Sequence, residues 1–409
     1  MKKVFLVAGM NYGDEGKGTM VDFLTRYYNA GLVVRFSGGP QAAHNVVTPE
    51  KIHHTFAQFG GGTLAGARTH LSRFMLVEPY ALLNEANALS YKIKGNPLDC
   101  LTIDEMCPII TPFHWLTNKI KELARGENRH SSCGFGVGEL RSDQEEGRED
   151  LVIYAKDLFE TNILHKKLIN IQDYRSQFID KLVDCGPETE RLCSIFYQYK
   201  IPDLVNFYHN EFLPQVYIVD YRWLDLYVED EPSPIIFEGA QGVLLDEVFG
   251  DAPYNTWTNT TFDNADVLLE KHLPNIQVEK IGVTRTYMTR HGNGPFPSEF
   301  LNSFELENFI YPEKIDNYNT EGKWQGKFRV GFFDEGLFHK ALGYIKYLDC
   351  LAITHQDTLV YGFPVFFNHQ VTRLENIPDI SWYFKYFHNM PVKYISKGVT
   401  ANDKEVLYD

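Results

Sequence analysis

The run Val4-Phe5-Leu6-Val7-Ala8, with a glycine directly behind it, constrains the fold of this chain more than any other feature. A short apolar stretch without alternation suits a central parallel strand covered on both faces. It leads into Gly9-Met10-Asn11-Tyr12-Gly13-Asp14-Glu15-Gly16-Lys17-Gly18-Thr19. Met20, Val21, Phe23, Leu24, Tyr27 and Tyr28 then recur at helical spacing, with Gly31 as the expected stop. Strand, glycine loop and helix in that order form a βα unit whose backbone N–H groups and helix dipole can hold phosphate.

The strand-then-loop pattern returns at Leu32 to Phe36, at Ile235-Ile236-Phe237 before EGAQG, and at Leu351 to Thr354 before His355-Gln356-Asp357. The expectation is an α/β fold with a mostly parallel central sheet flanked by helices, P-loop-like, with functional loops at the carboxyl ends of strands. Residues 1–409 read as a single domain, with about 150–225 as a mainly helical insertion.

A formal net charge of −15 disfavours a nucleic-acid polymer as partner, since phosphate backbones are gripped by excess Lys and Arg. A few local cations still suffice for a small phosphorylated ligand. The six cysteines, at 100, 107, 133, 185, 193 and 350, show no CxxC pair and read as reduced thiols. MKKVFLVAGM reads as a buried strand rather than a signal peptide, because its short apolar run enters the glycine loop without a cleavage signature. No stretch reads as a membrane span, so the expectation is a cytoplasmic protein without membrane association.

The loop departs from a standard P-loop: Gly18 rather than Ser or Thr follows Lys17, and two carboxylates sit inside it. A carboxylate among phosphates is repelled unless Mg2+ lies between them or it has a substrate proton to take. The competing reading is a solvated turn with a helix-capping Asp.

GDEGKG behind an amino-terminal strand resembles the signature loop of adenylosuccinate synthetases. Gly38-Gly39-Pro40-Gln41-Ala42-Ala43-His44 resembles that family's GGxNAGH, and Ser131 to Gly138 its GTTGRGIG. Phe237 to Asp246 resembles FEGAQGxLLD, with Pro253-Tyr254-Asn255-Thr256 following. Thr289 to Glu299 resembles TRVGAGPFPTE, with His291 on the valine. Thr354-His355-Gln356-Asp357 resembles TKxD, and Ser396-Lys397-Gly398 resembles STG.

The resemblance implies a ligase that phosphorylates the 6-oxygen of IMP with GTP and displaces the phosphate with L-aspartate. Asp14, His44 and Lys17 would be catalytic, with Asp14 and Ala43 on Mg2+. Gly13, Glu15, Gly16, Lys17, Gly18, Asp357, Ser396 and Gly398 would bind GTP. Asp14, Gln41, Ser132, Cys133, Gln241, Leu245, Thr256 and His291 would bind the purine monophosphate. Trp324-Gln325-Gly326-Lys327-Phe328-Arg329 replaces the family's arginine run, leaving Lys327 and Arg329 as the expected aspartate contacts and glycine where an arginine touches the ribose.

The family also implies a homodimer, with Arg148 near the place of an arginine that crosses between subunits. Two alternatives stand beside the main reading. One is a viral-type relative acting on dGMP, with GTP or ATP, in a host cytoplasm; such relatives commonly alter the residue at Asp14, which is retained here. The other is an inactive purine-nucleotide sensor.

Overall fold

A computed structural model describes residues 3–273, 276–315, 324–374 and 380–408. Its strands, in chain order, are β1 (Lys3–Gly9), β2 (Leu32–Arg35), β3 (His44–Val47), β4 (His53–Phe56), β5 (Arg68–Leu71), β6 (Leu101–Asp104), β7 (Tyr217–Val219) and β8 (Ile235–Gly242). Then come β9 (Gln277–Arg285), β10 (Tyr287–His291), β11 (Phe328–Asp334), β12 (Cys350–Thr354), β13 (Phe363–Phe367), β14 (Gln370–Leu374), β15 (Val392–Ser396) and β16 (Lys404–Val406).

Ten of them form one sheet in the order β16-β15-β12-β9-β1-β8-β2-β5-β6-β7. Every pairing is parallel except β15 with β16 at one edge. A smaller sheet runs β10-β11-β13-β14, and β3 pairs with β4 as a hairpin.

The apolar run of β1 now has its physical reason. Val4, Leu6 and Ala8 join one hydrophobic cluster, with residues of the helices Asp263–His272, Glu335–Ile345 and Ile380–His388. Phe5 and Val7 point the other way, into a second cluster with Met20, Val21, Phe23 and Leu24 of the helix Lys17–Tyr28. A strand covered on both faces has no polar side to alternate with. That helix ends on Asn29 in the left-handed conformation, φ 53°, rather than at Gly31, since asparagine also tolerates that region.

Between 150 and 225 the chain forms the helices Thr161–Ile179, Pro187–Gln198 and Ile201–Asn206, then returns through β7 to the sheet edge. Leu164, Leu168, Ile171, Leu192 and Phe196 share a cluster with Phe113, Leu116 and Ile120 of the helix Pro112–Ala124. This segment therefore buttresses the helix that stands behind the loop Ser131 to Gly136.

Candidate active site

The loops after β1, β2, β8, β9, β12 and β15 open on one cavity of about 1340 Å³ at the carboxyl ends of the strands. In open parallel sheets ligands bind at that end. The loop after β1 is shaped from inside. Glu15 is fully buried: Oε1 accepts from the N–H groups of Asn11 and Gly13, both at 2.9 Å, and Oε2 from Nζ of Lys17 at 2.7 Å. A Cβ on Gly9 would fall 2.2 Å from that carboxylate, so glycine is required there.

Glu15 was expected to contact GTP. Its carboxylate is instead used up within the loop, and it does not line the cavity. Gly16 precedes the helix Lys17–Tyr28 in the left-handed conformation, and among the described residues no side chain caps the first-turn N–H groups. Those groups and Lys17 face the cavity as a phosphate cradle. Gly18, the departure from the P-loop pattern, follows from packing: a Cβ there would stand 2.7 Å from Cβ of His44.

Asp14 sits beside Glu15 but faces outward. Its backbone is left-handed, φ 60°, and its carbonyl accepts from Nε of Arg285. Nε2 of His291 lies 3.1 Å from its Oδ2, and Oδ1 has no hydrogen-bond partner among the described residues. Burial alone would push this carboxyl up. The hydrogen bond from His291, with the charges of His291, Arg285 and Lys17, outweighs it and holds Asp14 below its ordinary value.

His44 opens β3, and its Nδ1 lies 2.6 Å from Oε1 of Glu238, whose Oε2 accepts from the N–H of Gly61 at 2.8 Å. Burial lowers the pKa of His44 against the pull of Glu238. Burial raises that of Glu238, but His44, Arg35 and the Gly61 N–H more than offset it and keep it ionised. An ionised carboxylate only accepts, so the neutral ring donates from Nδ1. Its Nε2 is buried with no partner among the described residues.

On the same wall both amide atoms of Gln41 are buried and unpartnered among the described residues, and Ala43 lines the cavity beside them. Ser132 and Cys133 also line it, but Ser132 spends its hydroxyl hydrogen on Oδ1 of Asn118 at 2.9 Å, and Sγ of Cys133 takes Nε2 of Gln325 at 3.0 Å. The uncapped start of the helix Val137–Glu145 lies beside them and offers further N–H donors. Gln241, Leu245 and Thr256 line the next wall, with Oε1 of Gln241 accepting from Thr258 at 3.2 Å.

At the far end stand Thr354, His355, Asp357, Ser396 and Gly398. Among the described residues both carboxylate oxygens of Asp357 lack side-chain partners, and burial raises its pKa. The hydroxyl of Thr354 donates to the carbonyl of Glu15 at 2.6 Å, tying this end to the phosphate loop.

Lys327 and Arg329, the expected aspartate contacts, lie outside the lining of the cavity. Lys327 is exposed to solvent. Arg329 holds the carbonyls of Gly292 and Gly294, at 3.1 and 2.9 Å, and pairs with Glu299. Arg148 is likewise away from the cavity, paired with Asp150. Sequence reasoning gave no role to Glu238, Arg285, Arg290 or Gln325. Glu238 had a signal, a carboxylate at the end of a buried strand, and so did Arg285, a cation closing one.

A phosphate cradle, a carboxylate and a histidine lining one cavity at the carboxyl end of a parallel sheet fit an enzyme that activates a substrate with a nucleoside triphosphate. The profile of the family described as adenylosuccinate synthetase matches residues 6–364. The chain is 31% identical over 354 residues to the adenylosuccinate synthetase of a Synechocystis strain, covering 87% of this chain and 74% of that one. It is 32% identical over 370 residues to that of Alkalilimnicola ehrlichii, covering 88% and 78%. The chain belongs to the adenylosuccinate synthetase family, whose members are ligases that form C–N bonds.

Two solved structures share the fold. Fully ligated adenylosuccinate synthetase from Plasmodium falciparum superposes with a TM-score of 0.77 at 20% identity, covering 99% of this chain and 100% of that one. The cyanophage S-2L succinoaminodeoxyadenylate synthetase, bound to dGMP and dATP as an energy donor, gives 0.65 at 16% identity, covering 100% and 96%.

Proposed function

We propose that this protein joins L-aspartate to carbon 6 of IMP, with GTP as the phosphoryl donor. The observation that carries the reading is the contrast between two carboxylates lining one cavity. Among the described residues Asp14 has one oxygen engaged by His291 and one without a partner, whereas neither oxygen of Asp357 has a side-chain partner. Hypoxanthine presents one N–H on its Watson–Crick edge, whereas guanine presents a ring N–H and an amine side by side. A single open acceptor suits the first and a paired one suits the second.

In the first step Oδ1 of Asp14 takes the proton from ring nitrogen 1, and the 6-oxygen attacks the γ-phosphorus, releasing GDP. In the second the neutral aspartate amine attacks carbon 6, the C–O bond breaks, and phosphate, which phosphorylation has made a leaving group, departs with the oxygen and the proton that the amine nitrogen gives up. Lys17 and the N–H groups of the loop spread the charge of the moving phosphoryl, and Nε2 of His44 faces the space it crosses. A ring at Nε2 that gains a proton beside an incoming anion is supported from behind by Glu238.

Mg2+ fits this donor set. With the open oxygen of Asp14 reserved for the purine proton, Ala43 on the same cavity would hold the ion directly, and this ion takes most of its remaining ligands from phosphate and water. When bound it would neutralise phosphate charge. By likeness to the family we extend the reading to a cytoplasmic homodimer folded as one domain, with 150–225 as an insertion. The test is a coupled phosphate-release assay with aspartate, offering IMP, dIMP, GMP and dGMP against GTP and ATP. IMP with GTP should turn over fastest; binding of both nucleotides without phosphate release would sink the reading and leave a sensor.

A further inference from the structure

We propose that His291 is a positioning residue for Asp14, at a position where the family pattern carries valine. The inference rests on the proposed function, in which Asp14 takes the purine proton. Asp14 hangs from a left-handed backbone in a glycine-bounded loop, with its side chain mostly buried. Two contacts hold it: Arg285 grips its carbonyl and Nε2 of His291 lies 3.1 Å from Oδ2.

His291 is itself well placed. It closes β10, opposite Phe328 of β11, and its ring tilts against that phenyl at 5.0 Å. The turn that follows is clamped by the N–H of Gly292 on the carbonyl of Lys327 at 2.8 Å, by Arg329 on the carbonyls of Gly292 and Gly294, and by the N–H of Asn293 on Oγ of Ser131 at 2.9 Å. Arg329 thus acts through the turn that carries His291. With Oδ2 fixed, the open Oδ1 has a defined direction into the cavity. Holding a reacting group in its productive geometry lowers the barrier to chemistry more than it changes the affinity for substrate.

The test compares two near-isosteric amides. The side-chain nitrogen of glutamine can stand where Nε2 of histidine stands, and that of asparagine where Nδ1 stands. His291→Asn should lower kcat with IMP at least about tenfold while the KM values for IMP, GTP and aspartate stay within about threefold. His291→Gln should recover kcat to within about threefold of the wild type. A purely packing role would not separate the two amides in this order.

Equal kcat in the two variants, or loss expressed in KM alone, overturns the inference while wild-type turnover leaves the proposed function standing. If the wild type releases no phosphate from GTP with IMP and aspartate, both fall together. Should His291→Asn fail to fold, as judged by its thermal midpoint, His291→Gln decides alone: a loss in kcat above about tenfold in that variant refutes the role.

Discussion

Nδ1 of His44 lies 2.6 Å from the carboxylate of Glu238, which stands buried behind the cavity wall that His44 lines, and Nε2 of the histidine has no partner among the described residues. The carboxylate selects the tautomer and aims the ring. His44→Asn should lower phosphate release by a factor on the order of a hundred or more while GTP still binds. Glu238→Gln, which keeps the shape but loses the charge, should cost on the order of tenfold to a hundredfold in kcat. Rapid-quench phosphate release and equilibrium GTP binding measure the two effects separately; an undiminished rate in folded His44→Asn would remove the residue from the chemistry.

Asp14→Asn keeps the hydrogen-bonding shape and loses the base. It should retain IMP and GTP within a few-fold in affinity and lose turnover by a factor on the order of a hundred or more. Calorimetric titration with each nucleotide beside the rate assay is the check, and a near-normal rate would contradict the assignment.

Asp357→Asn should weaken GTP use by about 1–3 kcal/mol, because an amide cannot accept both guanine donors. The specificity constants for GTP and ATP in wild type and variant measure it. A wild type that prefers ATP would defeat the assignment before the variant is made.

Gly326 puts no side chain where the family carries an arginine on the ribose, and the neighbouring amide of Gln325 is engaged by Cys133. A site that makes no bond to a hydroxyl has little basis for rejecting its absence. IMP and dIMP should therefore differ by less than about tenfold in kcat/KM, and a preference on the order of a hundredfold for the ribonucleotide would refute this.

Glu78 caps the helix Pro79–Ser90: Oε2 accepts from the N–H of Ala81 at 2.6 Å, while Oε1 is buried without a partner among the described residues. Burial raises its pKa from 4.5 to about 7, so between these values the folded protein holds a proton that the unfolded chain releases. Stability from this group is present below the lower value and is lost as pH rises through the upper one, by on the order of 3 kcal/mol. Denaturant unfolding at pH 4.5 and 8 should show this loss in the wild type and a smaller one in Glu78→Gln. Equal slopes in the two proteins would show that Glu78 is not the group responsible.

Local pattern carried much of this architecture into the sequence. Val4 to Ala8 and the glycines behind them announce a buried strand and a phosphate loop because only small, flexible backbone fits there. Asp14 and Glu15 show where pattern stops: they are adjacent and chemically alike, yet one faces the cavity and the other is sealed beneath the loop, a difference set by β8 and Gly9 rather than by either residue. The arginines make the same point. Arg329 stood in the motif that should have faced substrate and is held by its own turn, whereas Arg285, outside every motif, closes β9 against the carbonyl of Asp14. Which cation reaches a ligand is decided by tertiary packing, which periodicity does not encode.

The position of β1 in the middle of the sheet has a consequence in time. β1 is made well before either of its neighbours, β8, which starts at Ile235, and β9, which starts at Gln277. Until those segments are made, both edges of β1 lie open and its apolar faces lack much of their cover, which exposes the nascent strand to wrong pairing. The donor end of the site waits longer still, for Asp357 and Ser396. Premature termination anywhere before β12 should yield an aggregating fragment rather than a partly active enzyme.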